Sequence, residues 1–185
     1  MKKLIFLLPA FIFVLVCCHS TSGQQGQSLL KRVIIIRHGE KPDQGDNLSC
    51  QGLNRALELP DVLNRKFGTP DYIFVPAMNT GKKTSTARMY QTIVPFAVKY
   101  NLNINTKYDV DDTKGVAEDV LKRNGTVLLV WEHKHIDNIL KALGVQSPDK
   151  WADDDFDSIW IVSFESGKPV LTKDKEGLAP AAACK

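Results

Sequence analysis

The chain has 185 residues, of which 43% are hydrophobic, 24% charged and 8% aromatic. That is enough apolar chain for one covered core, and it excludes a disordered tail protein, a collagen-like fibre, a disulfide-dense miniature and a polytopic membrane protein. The formal charge of +3 falls to +1 once Lys2 and Lys3 are set aside with the leader described next, too little to point to nucleic acid.

Met1-Lys2-Lys3 opens a short basic start, and Leu4 to Val16 is an apolar run. The run is shorter than the roughly 20 residues a bilayer-spanning helix needs. A basic start before such a run is the pattern of a secretory signal, so residues 1–17 are read as a signal peptide and the protein as exported, to the periplasm or outer surface. Leu15-Val16-Cys17-Cys18 resembles a bacterial lipoprotein signal with Cys18 as the lipidated residue; the alternative is ordinary cleavage to a soluble protein. Acylation would tether the protein to a membrane without a spanning segment. Residues 18–28 form a polar, glycine-containing spacer. A domain over residues 29–177 and an Ala/Pro-rich tail over 178–185, with little order expected of its own, complete the chain. Cys50 and Cys184 are the remaining thiols; pairing is open to an exported protein, and their spacing gives no zinc site.

Within the domain, short β-branched runs alternate with helical segments, which predicts an α/β layered fold. Arg32 to Ile36 is a continuous apolar run, the mark of a central strand covered on both faces. Ser49 is a candidate N-cap for a helix carrying Leu53, Ala56, Leu57 and Leu63, bent at Pro60. Asp71 to Val75 is a second strand. Thr84 or Ser85 could cap a helix with Ala87, Met89, Ile93, Phe96, Ala97 and Tyr100 towards its buried side, interrupted at Pro95. Val116 to Arg123 reads as a short helix, Thr126 to Trp131 as a third strand after the Asn124-Gly125 turn, and Ile136 to Leu143 as a helix closed by Gly144. Asp157 to Phe164 is a fourth strand, turning at Ser166-Gly167 into Pro169-Val170-Leu171 as an edge hairpin.

Arg37-His38-Gly39-Glu40 directly follows the first strand. Open α/β sheets bind ligands at the carboxyl ends of their strands, and Gly39 would let the backbone approach a ligand. His133 comes just past another strand end, and Arg88 lies in a helix after a third. Two imidazoles and two guanidiniums suit a phosphate ester. Each guanidinium can grip two phosphoryl oxygens, and a neutral imidazole is a competent nucleophile towards phosphorus. Positioning and charge stabilisation supply most of the catalysis in such a transfer, and no metal or cofactor is invoked.

Four landmarks in order carry a resemblance: strand-Arg37-His38-Gly39-Glu40; Leu48-Ser49-Cys50-Gln51-Gly52-Leu53-Asn54-Arg55-Ala56; Ser85-Thr86-Ala87-Arg88-Met89-Tyr90-Gln91-Thr92; and strand-Glu132-His133. Together they resemble the histidine phosphatase (phosphoglycerate mutase-like) superfamily from about Val33 to Phe164, as a small phosphatase-type member. The resemblance implies a three-layer α/β/α sandwich with a mainly parallel central sheet. It makes His38 the phosphorylated nucleophile, and Arg37, Arg88 and His133 the pocket that binds the phosphoryl group. The short segments after Glu40 and between Arg88 and His133 imply an open, shallow rim. Glu132 before the second histidine, with Lys134 and His135 after it, departs from the usual small residues. Glu132 could be the proton donor to the leaving group, or an orienting partner for an arginine; Asp109, Asp111 and Asp112 are other candidate donors. Lys134 would add charge at the rim or stay solvated.

The implied activity is hydrolysis of phosphate monoesters or phosphoprotein groups. Phosphoglycerate mutase-type transfer and a non-catalytic phospho-ligand module are its rivals. Gly81-Lys82-Lys83-Thr84-Ser85 lacks the first glycine and the Ser/Thr placement of a P-loop. His133 and His135, sharing a face in a strand continuation, have no third metal ligand in view. Asp153 to Asp157 lacks the EF-hand pattern and reads as a polar turn before a strand. Trp131, Trp151 and Trp160 read as core. The sequons at Asn47 and Asn124 are discounted.

Overall fold

The computed structural model describes residues 29–78, 86–146, 148–164 and 167–184. The signal peptide, Cys18 and the spacer lie outside the described residues, as do Gly81 to Ser85 with the two expected helix caps, and Ser166. Ten elements follow in chain order: β1 (Leu30–Arg37), α1 (Cys50–Phe67), β2 (Tyr72–Phe74), α2 (Ala87–Tyr100), β3 (Ile104–Asn105), α3 (Thr113–Val120), β4 (Gly125–Trp131), α4 (His133–Ala142), β5 (Ser158–Ser163) and β6 (Val170–Lys175). Among the described residues no helix is long and apolar enough to cross a membrane.

The sheet runs β3-β2-β4-β1-β5-β6. β1 pairs parallel with β4, β4 with β2, and β2 with β3, while β5 and β6 join antiparallel. Alternate residues of the central strands feed two separate cores, as the two-residue period of a strand requires. Val33, Ile35, Val127, Leu129 and Trp131 pack against Val116, Val120, Ile136, Ile139 and Leu140 of α3 and α4. Ile34, Ile36, Leu128 and Val130 pack against Leu59, Leu63, Met89, Ile93 and Phe96 of α1 and α2. Helices on both faces of a mainly parallel sheet make the three-layer α/β/α sandwich. It also brings the carboxyl ends of β1 and β4 side by side, Arg37 pairing with Trp131.

Several boundaries differ from expectation. α1 and α2 each run through their proline, Pro60 and Pro95, as one element. An interior proline costs a helix about 3 kcal/mol, and each helix buries an apolar stripe on both sides of it, which outweighs that cost. Ser49 caps α1 as expected, its side chain accepting from the Gly52 N–H. Leu53 and Leu57, however, face outward at 45% and 55% exposure. α3 starts earlier, at Thr113, because the Asp112 carboxylate accepts from the Gly115 N–H and caps it. α4 starts at His133 rather than Ile136, so the strand does not continue through the second histidine.

The tail is docked. Cys184 is disulfide-bonded to Cys50, the first residue of α1. The Asn54 side-chain amide donates to the carbonyls of Ala181 and Ala183, and Leu178 packs on the α1/α2 core.

Candidate active site

β1 ends at Arg37 with His38 next, and both side chains are almost wholly buried. The segment after them is pressed against the first turn of α1. A Cβ at Gly52 would lie 2.3 Å from the Glu40 carbonyl oxygen, and one at Gly39 would lie 3.0 Å from that of Gly52. The smallness of Gly39 thus serves contact with α1. The Ser49 backbone N–H and hydroxyl both donate to the Glu40 carbonyl. The Glu40 carboxylate receives Arg55 through Nε and Nη2, and Arg55 Nη1 donates to Glu176. One guanidinium shared between two carboxylates leaves an excess negative charge. Burial, with Asp157 and Glu40 nearby, pushes the Glu176 carboxyl up to about 7 despite Arg55.

His38 Nδ1 lies 2.7 Å from the Gly39 carbonyl oxygen. A carbonyl only accepts, so Nδ1 carries the proton and Nε2 keeps its lone pair. Burial lowers the His38 pKa to about 4, helped by Arg37, Arg88 and His133, so the ring is neutral at neutral pH. The Gly39 peptide is itself fixed, since its N–H donates to Thr92 Oγ1, which in turn donates to the Arg88 carbonyl. Thr92 therefore ties the His38 loop to the first turn of α2, which carries Arg88.

Arg37 is held on three sides. Nη1 donates to the carbonyls of Ala152, Asp153 and Asp155, and Nη2 reaches His133 Nδ1 at 3.1 Å. The Phe156 ring lies 3.8 Å from the guanidinium carbon. Among the described residues, the buried Arg37 Nε has no hydrogen-bond partner. Burial lowers its pKa to about 10, which leaves it charged. A guanidinium only donates, so His133 Nδ1 accepts and its Nε2–H donates to Asp153 at 2.8 Å. His133, desolvated and beside Arg37, is also held below the usual histidine range. The His38 and His133 rings face edge to face with centroids 6.4 Å apart.

Arg37, His38, Arg88, Glu132 and His133 share one cleft of about 200 Å3 with Lys41, Lys134 and Asp153. Arg88, half-buried, donates to the carbonyls of Gly45 and Asn47 and so orders the loop before α1. Glu132 receives no hydrogen bond from an arginine among the described residues; its carboxylate stands 3.5 Å from His135 Nε2. Four cations against two carboxylates, with the N-terminal end of α4 opening on the same space, favour an anion there. Asp109 and Asp111 line a separate cleft with His135, and Asp112 is engaged in capping α3. His133 and His135 thus address different clefts rather than sharing a face. Among the described residues no group of three or more His, Cys, Asp or Glu side chains is placed to hold a metal ion.

Sequence reasoning missed Asp153, Phe156 and Thr92. The first two fall in the acidic stretch that reads as a turn, and Thr92 stands at the end of the Arg88 motif with nothing in its neighbours to mark its hydroxyl.

No protein-family model matches the sequence, and no curated protein is similar to it in sequence. Solved structures do match. One is the protein histidine phosphatase SixA complexed with tungstate, at TM-score 0.53 and 14% identity, over 78% of this chain and 97% of that one. Another is a phosphoglycerate mutase from Bacillus anthracis str. Sterne, at 0.52 and 11%, over 80% and 94%. A third is a mycobacterial glucosyl-3-phosphoglycerate phosphatase with inorganic phosphate, at 0.50 and 16%, over 78% and 95%. The chain has the histidine phosphatase, phosphoglycerate mutase-like, fold.

Proposed function

We propose that this chain is a histidine phosphatase, an exported and metal-independent enzyme that hydrolyses phosphate monoesters or phosphoprotein groups through a phosphohistidine on His38. The observation that carries the reading is the placement of a neutral His38, with Nε2 unprotonated, across 6.4 Å from His133 in a cleft that also holds Arg37 and Arg88. The solved structures sharing the fold include a protein histidine phosphatase and a glucosyl-3-phosphoglycerate phosphatase, which supports the same class of chemistry.

In the first step the His38 Nε2 lone pair attacks phosphorus and the bond from phosphorus to the ester oxygen breaks. Arg37 and Arg88 hold the phosphoryl oxygens as charge spreads over them, joined by His133 when its Nε2–H turns from the Asp153 carboxylate to the phosphoryl group. The departing oxygen takes a proton from Glu132, the acid candidate from the sequence that lines this cleft. In the second step water attacks phosphorus, the N–P bond breaks, and orthophosphate leaves with His38 regenerated. Glu132, now a carboxylate, accepts the proton of that water.

Export and a lipid anchor on Cys18 belong to the same proposal. The basic-apolar leader supports them, and so does a disulfide within the domain, a bond that persists in oxidising compartments.

The test is orthophosphate release from a panel of phosphate esters and a phosphohistidine protein, with and without a chelator. Release that survives the chelator and disappears in His38→Ala agrees with the reading. Release abolished by the chelator, or retained by His38→Ala, contradicts it.

A further inference from the structure

His133 has a single N–H to give. Its Nδ1 accepts from Arg37 Nη2 at 3.1 Å, so the proton of the neutral ring sits on Nε2, and that N–H donates to the Asp153 carboxylate at 2.8 Å. The same N–H is the one His133 offers to a phosphoryl oxygen. We propose that Asp153 is an internal competitor for the phosphoryl group: its carboxylate holds the His133 Nε2–H until a phosphoryl oxygen takes it, and takes it back as orthophosphate leaves. The inference rests on the phosphatase reading and adds how that site lets its product go.

The geometry separates what moves from what stays. Arg37 Nη1 donates to the carbonyls of Ala152, Asp153 and Asp155. The Trp151 indole N–H donates to the Asp155 carbonyl at 2.7 Å, and the Asp155 carboxylate accepts from the backbone N–H groups of Asp157 and Ser158 and from the Ser158 hydroxyl. The backbone on both sides of Asp153 is thus tied down, while its side chain is 89% exposed. Exposed side chains change rotamer in picoseconds to nanoseconds, and water solvates the carboxylate wherever it turns. The exchange is fast and leaves Arg37 in place.

Charge sets its direction. Asp153 lines the cleft that holds Arg37, His38 and Arg88. A phosphoryl group drawn in by the two guanidiniums meets a carboxylate already on His133, and two anions at one donor repel each other. The competition weakens the hold on substrate and product alike. It raises KM and hastens loss of orthophosphate, and product release is the step that limits turnover in many enzymes.

The experiment measures inorganic phosphate binding by calorimetry, and phosphate inhibition of ester hydrolysis, in the wild type, Asp153→Asn, Asp153→Ala and Asp154→Asn. Asp154, exposed beside Asp153, carries the same charge and makes no hydrogen bond to His133, so its variant controls for net charge. Solvent exposure keeps the effect of one charge modest, and Asp153→Ala is expected to bind phosphate roughly threefold to tenfold more tightly. Its KM should fall in step, with kcat no higher than that of the wild type. Asp153→Asn keeps an oxygen for His133 without the charge and should fall between the two. Asp154→Asn should match the wild type. Damage to the fold loses affinity, so a gain separates competition from a structural role.

Unchanged or weaker phosphate binding by Asp153→Ala would overturn the proposal. So would an equal gain in Asp154→Asn, which would make the effect one of net charge, or no phosphate binding by any of the four proteins. A wild type that binds phosphate yet hydrolyses no phosphate ester or phosphopeptide would instead remove the phosphatase reading, and the binding series would still decide for or against Asp153.

Discussion

The bond between Cys50 and Cys184 joins positions 134 residues apart, almost the whole length of the domain. In the chain-entropy account, closing a loop of that size removes about 5 kcal/mol of conformational freedom from the unfolded ensemble. The folded tail keeps its hydrogen bonds to Asn54 and the packing of Leu178 without the bond. Natural disulfides contribute nearer 2–4 kcal/mol by experiment, so roughly 3 kcal/mol is expected. For a domain of this size that is a fall in Tm of about 5–15 °C. Thermal unfolding followed by far-UV circular dichroism on Cys50→Ser/Cys184→Ser, and on the wild type with dithiothreitol, should show the same fall. The variant itself should ignore the reductant. Because the Glu40 carbonyl is held by Ser49 rather than by Cys50, kcat at 25 °C should change little. Wild type and variant melting within about 1 °C of each other, with and without reductant, would refute a tail strapped to α1.

Thr92→Val keeps the shape of the side chain and leaves the buried Gly39 N–H without its acceptor. A loss of about 1–3 kcal/mol in chemical denaturation is expected, with a fall in kcat larger than any change in KM and rescue by Thr92→Ser. NMR titration of the His38 ring should give a midpoint near 4, because burial opposes the imidazolium; a midpoint near 6.5 would contradict the buried neutral nucleophile. Glu176 binds its proton more tightly in the folded state than unfolded, its pKa rising from 4.5 to about 7. The unfolded chain therefore releases that proton first, and the group costs stability as pH rises from about 4.5 to about 7. Glu176→Gln should gain on the wild type across that window in denaturation midpoints, and a difference independent of pH would count against the buried pair.

The central strands were legible because uninterrupted β-branched runs have few other uses, and the landmarks around His38 and Arg88 fell where strand ends and helix starts place them. Other parts had no signature to read. α4 begins at His133 behind Glu132, which makes no side-chain capping bond, so nothing in Glu-His-Lys-His marks a helix start. The carbonyls of Ala152, Asp153 and Asp155 hold Arg37, and a backbone acceptor is the same for every residue type. The Asp153 carboxylate was visible, yet its pairing with His133 depends on how the turn after α4 folds back. The tail looked unstructured by composition, and its order comes from partners far away in sequence, Asn54 and Cys50.

The account's central claim is a covalent one, a bond between phosphorus and His38 Nε2. Wild-type protein should be mixed with a phosphate ester, denatured within milliseconds under conditions that preserve phosphohistidine, digested and examined by mass spectrometry. A phosphoryl group on the peptide containing His38, present in the wild type and missing from His38→Ala, is the predicted result. Turnover to orthophosphate by the wild type with no modified His38 peptide at any quench time would contradict it.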